Sequence, residues 1–149
     1  MRRIASLTIC LLVVLIANAV QAKAQLSIRA ASAQPVEGWQ RMQVEHSDRV
    51  VWVSPIVAVT SSDIEKAAPE VTPDGDTRIA VVFTDAGVRK IHDLTTAQRK
   101  NLVALVVNDK VIWAPLVQQP QEGKEGVLTG NGPHGLTQEE VDRILASLR

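Results

Sequence analysis

Residues 77–107 read TRIAVVFTDAGVRKIHDLTTAQRKNLVALVV, and two changes of period within them decide the fold. Ile79, Val81 and Phe83 alternate with Arg78, Ala80 and Val82, the period of two that marks a strand with one apolar face. Thr84-Asp85 then supplies a helix N-cap. Beyond it Val88, Ile91 and Leu94 or Thr95 return at helical spacing, which predicts a helix running to about Arg99. Leu102 to Val107 is apolar without a break, as a central strand requires.

Working toward the C-terminus, Asn108-Asp109 tolerates positive φ and predicts a two-residue hairpin turn. Lys110 to Val117 is the expected return strand, with Pro115 marking an edge or a bulge because proline cannot donate to a ladder. Gln118 to Glu125 reads as a polar loop, and Gly126 to Thr129 as a short strand. Thr137, with Glu140 three residues on, forms a capping box that opens a last helix. Val141, Ile144, Leu145 and Leu148 line one side of that helix, a stripe that must dock on a sheet.

Upstream the signals weaken. Leu26 to Ala30 alternates like a strand, Ser32 to Gly38 reads as a loop, and residues 25–41 together form an ill-defined lead-in. Met42, Val44 and His46 alternate with Gln43 and Glu45 as far as Ser47-Asp48. Val50 to Val53 and Ile56 to Val59 are β-branched runs broken by Pro55. Ser62-Asp63-Ile64-Glu65 resembles a capping box and predicts a helix of one or two turns ending at Ala67 or Ala68. Pro69, Pro73, Asp74 and Gly75 then suit a turn-rich connection. The expected fold class is α+β: a mainly antiparallel sheet with two principal helices packed on one face, forming one domain over residues 25–149.

Residues 1–24 read as a signal peptide outside that fold. Arg2 and Arg3 precede an apolar run from Ile4 to Ala17, and both Val20-Gln21-Ala22 and Ala22-Lys23-Ala24 fit small-x-small cleavage sites. The run is shorter than the ~20 residues of a spanning helix; the other reading is a retained membrane anchor. Cleavage near Ala22 or Ala24 predicts a periplasmic or secreted protein and removes Cys10, the only cysteine. No disulfide then staples the mature chain, so its stability must come from core burial.

Composition narrows function mainly by exclusion. Among 149 residues, 16 Lys+Arg balance 16 Asp+Glu, so there is no basic field for nucleic-acid phosphates. With 46% hydrophobic and 21% charged residues, the chain is too apolar to be disordered. Gly130-Asn131-Gly132-Pro133-His134-Gly135 matches the letters of a dinucleotide fingerprint. No second strand follows it, however, and Pro133 removes a backbone N–H from the phosphate cradle. His46, His92 and His134 show no metal-binding spacing. Glu139, Glu140 and Asp142 lie in a first helical turn, where carboxylates complement the dipole. Trp39, Trp52 and Trp113 lie in or near apolar runs and are expected to pack against the core. No G-x-S-x-G elbow is present. No cofactor, metal or catalytic residue is expected.

Several stretches taken in order resemble the head of the first periplasmic domain of SecD, the family that includes fused SecDF. They are Val53 to Thr60 with Ser62-Asp63-Ile64, Ile79 to Ile91, Leu105 to Val117, Leu128 to Gly130 and Thr137 to Val141. The most specific are the helix entry Phe83, Gly87, Arg89, Lys90 and the strand–turn–strand that ends in Ala114-Pro115. The resemblance implies a non-enzymatic extracytoplasmic domain, freestanding here, that engages unfolded polypeptide or an envelope protein partner during export. It implies no nucleic acid, and a membrane only if the signal segment is kept as an anchor. The edge expected at Pro115 puts the contact at Trp113, Pro115, Leu116 and Val117. Two other readings stand beside it: a metal-dependent hydrolase using His46, His92 or His134 with carboxylates, and a structural subunit of an envelope complex.

Overall fold

The computed structural model describes residues 25–149; the signal-peptide reading of residues 1–24 lies outside the described residues. In chain order the elements are β1 (Leu26–Ser32), β2 (Gln40–Gln43), β3 (Val50–Val53) and β4 (Val59–Thr60). A 3-10 turn (Ser61–Asp63), β5 (Ile64–Val71), β6 (Thr77–Phe83) and α1 (Asp85–Ala97) come next. β7 (Leu102–Val107), β8 (Lys110–Trp113), β9 (Glu125–Leu128) and α2 (Gln138–Ser147) complete the order. The strands form two antiparallel sheets, one ordered β2-β3-β1-β7-β8 with β4 also on β1, the other ordered β5-β6-β9.

The unbroken apolar run of β7 has a simple cause: its two faces serve two cores. Val103, Leu105 and Val107 point into a core shared with Ile28, Ile79, Phe83, Ile91 and Ile144, where the smaller sheet and both helices pack on one face of the larger sheet. Leu102, Ala104 and Val106 point the other way, toward Ala31, Val44, Val51, Val53, Val111 and Ala114. This second core fills the inside of a curl. The larger sheet bends until the end of β2 meets β8, where Val44 bridges Val111 and the Glu45 N–H donates to the Val111 carbonyl at 2.8 Å. A small, nearly closed barrel has room only for short side chains, and valine and alanine dominate this interior.

Local chemistry explains the element ends. The Thr84 hydroxyl accepts the Gly87 N–H at 3.0 Å and caps α1 as expected. Gly87 is required there because a β-carbon would lie 2.3 Å from the Asp63 carbonyl oxygen. Asn108 and Asp109 both take positive φ, 50° and 62°, so the tight turn between β7 and β8 matches the twist of its strands. Pro55 ends β3, and Ile56 beyond it is 74% exposed.

Several expectations are corrected. The lead-in, ill-defined in the sequence, carries β1 where Leu26 to Ala30 alternates: this strand is the centre of the larger sheet, paired with β7 from Leu26 to Ala31 and with β3 and β4 on its other side. Ser62 to Ala68 is not a helix. The turn is closed one step earlier, by the Asp63 carboxylate accepting the Thr60 N–H at 2.9 Å, and the chain then extends as β5. Pro69 belongs to that strand, opposite Ile79, and is tolerated because β5 is an edge strand with no strand on its outer side among the described residues. Finally, the capping box of α2 is one-sided. Thr137 accepts the Glu140 N–H at 3.2 Å, but Glu140 does not reach back, because its carboxylate is buried and faces His46. The return strand also stops short. β8 ends at Trp113, although the chain goes on beside β7, with the Pro115 carbonyl accepting the Val103 N–H at 3.2 Å.

Candidate functional site

The residues after β8 do more than finish a strand. Trp113, Pro115, Leu116 and Val117 form one wall of an apolar groove of about 410 Å³, and Gly126, Val127 and Leu128 of β9 form the other. Ile28, Phe83, Ile91 and Leu105 make its floor, and Gln118, Gln119 and Gln121 its polar rim. The groove therefore lies where the two sheets and α1 meet. Leu116 is 55% exposed, so its wall presents an apolar side chain to solvent; the Val127 side chain stands with Ala80 on the other face of its sheet, and the strand's backbone borders the groove. A wider hollow of about 660 Å³ beside Arg29, Thr60, Ser61 and Asn108 is lined far more by polar groups and has no such walls.

Hydrogen bonds fix the groove. The Thr95 hydroxyl, inside α1, donates to the Ile91 carbonyl at 2.7 Å and accepts the Gln121 N–H at 2.8 Å. Gln121 in turn donates from Nε2 to the Glu125 carbonyl at 2.6 Å, and its own carbonyl lies 3.2 Å from His92 Nδ1. The segment read as a plain polar loop is thus tied to both α1 and β9. The Lys124 carbonyl accepts the Phe83 N–H at 2.8 Å, so Lys124 faces β6 and the backbone groups of Glu125 and Val127 point outward. β9 is an edge strand. Among the described residues, the N–H and C=O of Val127 pair with no other strand, and they open onto the groove.

The other singled-out residues are scattered. His92 joins the loop contact just described; the His134 side chain is exposed, and only its carbonyl is engaged, by the Thr77 N–H at 2.9 Å. The glycine-rich loop is structural. Gly135 has φ 78°, and a β-carbon there would lie 2.3 Å from the Thr77 carbonyl oxygen. Trp39, Trp52 and Trp113 are each half-buried, and Trp113 packs on the larger core. Glu139 and Asp142 are exposed as first-turn carboxylates should be, whereas Glu140 is wholly buried.

Glu140 belongs to a second cluster that sequence reading missed. His46 Nε2 lies 2.9 Å from Glu140 Oε1, and ligand atoms of Glu45, His46 and Glu140 fall within 4.8 Å of one another. The His46–Glu140 approach is close without hydrogen-bond alignment, and neither Glu140 oxygen accepts a hydrogen bond. Burial pushes the Glu140 carboxyl up, against the opposing pull of His46, the nearby Thr137 backbone and Arg143. Arg143 is held charged by Glu45, whose two oxygens accept from its guanidinium at 3.2 and 2.8 Å. Lys110 Nζ is 3.7 Å from the same carboxylate.

A curled antiparallel sheet, a three-stranded companion and two helices on one face place the chain among compact α+β domains, and no helix among the described residues is long and apolar enough to cross a membrane. The chain belongs to the SecDF P1 head subdomain family, whose model matches residues 38–149. It is 31% identical over 75 residues to the protein translocase subunit SecD of Rhodobacter capsulatus; the match covers 50% of this chain and 14% of that protein. Its fold is similar to a crystal structure of SecDF in a super-membrane-facing form, with TM-score 0.64 and 20% identity over 85% of this chain and 19% of the other. A second SecDF structure, described as a membrane component that enhances protein export, gives TM-score 0.62 at 17% identity, covering 85% of this chain and 62% of that one. SecDF of Thermus thermophilus, a translocon-associated membrane protein, gives 0.53 at 21% identity over 86% of this chain and 19% of the other. The chain spans about one seventh of the length of the SecD relative it matches.

Proposed function

We propose that this chain is a non-enzymatic, extracytoplasmic head domain that captures extended, apolar polypeptide by strand addition at β9. One observation carries the reading: the unpaired backbone edge at Val127 opens directly onto an apolar groove whose far wall is Leu116. An extended segment laid along this edge would hydrogen-bond through its backbone, which is indifferent to sequence, and would bury alternate side chains in the groove against Leu116. Selectivity for unfolded chains follows, because a folded protein seldom offers a free extended apolar strand. Trp113 at the end of the groove supplies a large, rigid apolar surface at low entropic cost. Family membership supports the reading, since the similar SecDF is described as enhancing protein export. The signal-peptide pattern in residues 1–24 supplies a route out of the cytoplasm.

The test is an anisotropy titration with a fluorescent polypeptide kept unfolded by reduction and alkylation, set against its native folded form. Saturable binding of the unfolded form alone is expected. Leu116→Asp should weaken it about tenfold or more, the equivalent of about 1.4 kcal/mol, and should leave stability within about 0.5 kcal/mol because the side chain is already solvated. A flat titration, or unchanged affinity in Leu116→Asp, would overturn the proposal.

A further inference from the structure

The seam that closes the barrel ends in a group of ligand-type side chains that the peptide-binding reading does not use. Glu45 and His46 follow directly on the Val44–Val111 bridge, and His46, with φ 56°, is turned toward α2. Glu140 meets them from the first turn of that helix. We propose that Glu45, His46 and Glu140 form a binding site for a divalent transition cation of the zinc type, which ties the end of β2 to α2.

The uncompensated group is Glu140. Its side chain is 0% exposed, and neither of its oxygens accepts a hydrogen bond. A buried carboxylate without hydrogen bonds is costly in any protein. The nearby cations do not relieve it: Arg143 gives its two hydrogen bonds to Glu45 and lies 3.9 Å from Glu139, and Lys110 also points at Glu45. A metal ion between His46 Nε2 and a Glu140 oxygen would satisfy that oxygen directly. Glu45 would contribute one of the lone pairs that Arg143 leaves free, and water would complete the shell.

The donor set selects the kind of ion. Imidazole nitrogen with carboxylate oxygen suits zinc and its neighbours, whereas calcium and magnesium prefer oxygen alone. Tetrahedral zinc with bonds of about 2.0–2.1 Å brings its ligand atoms to roughly 3.4 Å from one another. The donors here lie within 4.8 Å of one another, with His46 Nε2 and Glu140 Oε1 at 2.9 Å, so the turn bearing Glu45 and His46 has to shift to part that pair slightly and admit the ion. That side is free to move, since the His46 side chain is 50% exposed, and the same exposure gives an ion its way in.

The experiment is calorimetric titration of the EDTA-stripped protein with zinc chloride at pH 7.5, paired with thermal unfolding and with the visible spectrum of the cobalt(II) form. One zinc per chain, a higher unfolding midpoint and a cobalt spectrum of low coordination number are expected, with no shift from magnesium or calcium. His46→Ala, an exposed position that leaves the fold intact, should weaken zinc about tenfold or more, at least the loss typical of supporting residues around metal sites. Glu140→Gln should do the same, and its folding can be checked separately by circular dichroism. Absence of zinc binding, or zinc binding that survives His46→Ala unchanged, would overturn the proposal. Failure here leaves the β9 groove untouched.

Discussion

Gly126 lies against the edge of the Phe83 ring: a β-carbon added to it would sit 2.8 Å from Phe83 Cε2. The contact sets the shape of the groove, because β9 can lie over the buried ring only without a side chain there. Gly126→Ala forces either the ring or the strand to move. The expected cost is about 1–3 kcal/mol, the usual range for overpacking, read as a lower urea midpoint with the slope unchanged. An unchanged midpoint would mean that the ring yields freely and that the groove is softer than described.

Asp63 connects three elements and should make folding sensitive to acid. Burial pushes its carboxyl up, but the Thr60 N–H and the Lys90 ammonium at 2.9 Å prevail together and hold it below its ordinary value of 3.8. Near pH 3.8 the unfolded chain therefore binds more protons than the folded one, so this contribution rises with pH. It is complete above that value and is lost as pH falls through the lower folded value. Asp63→Asn should flatten the acid limb of the stability–pH curve. It should also cost about 1.5–3 kcal/mol at neutral pH, the range for hydrogen bonds to a charged group. An acid limb identical to that of the parent would refute this.

The family match begins at residue 38, yet β1 is the centre of the larger sheet. A chain beginning at residue 38 would lose the strand that β7, β3 and β4 all pair with, and would expose Leu105 and Val107 on one face and Ala104 and Val106 on the other. It should show no cooperative thermal transition, whereas a chain beginning at residue 25 should melt in a single step. A sharp transition in the shorter chain would show that β1 is dispensable.

Thr137 caps α2 alone, since Glu140 faces His46 instead of returning the bond. Thr137→Ala should cost about 1 kcal/mol, the typical value for an N-cap, and Thr137→Ser should restore most of it. Guanidinium unfolding of the two variants measures this; equal loss in both would point to the methyl group rather than the hydroxyl.

Part of the groove was legible in the sequence. Pro115 in an apolar run marks a place where regular pairing stops, and Trp113 to Val117 does become one wall. The opposite wall, Gly126 to Leu128, was read as a strand but not as a wall, because the Gln118 to Glu125 segment that ties it to α1 through Thr95 and Gln121 is polar and reads as a loop. The isolated glycine at 126 was the available signal, since glycine inside a strand often marks close backbone approach. The Glu45–His46–Glu140 cluster left no local signal at all. Arg143 and Glu45, its neighbours in that cluster, are 98 residues apart.

What the sequence determined by itself is whatever a few neighbouring residues settle: the caps at Thr84 and Thr137, the turn at Asn108-Asp109, the apolar faces of β6 and β7, and both helices. These depend on side-chain period and short-range hydrogen bonds, which act over one or two turns of chain. Only the tertiary structure decided that Ile64 to Val71 extends, that β1 lies at the centre, and that β2 closes onto β8. Local preference is worth tenths of a kcal/mol to about one per residue, whereas pairing along β6 from Ile64 to Val71 is cooperative and buries a shared face. Partners distant in sequence won wherever the local signal was weak.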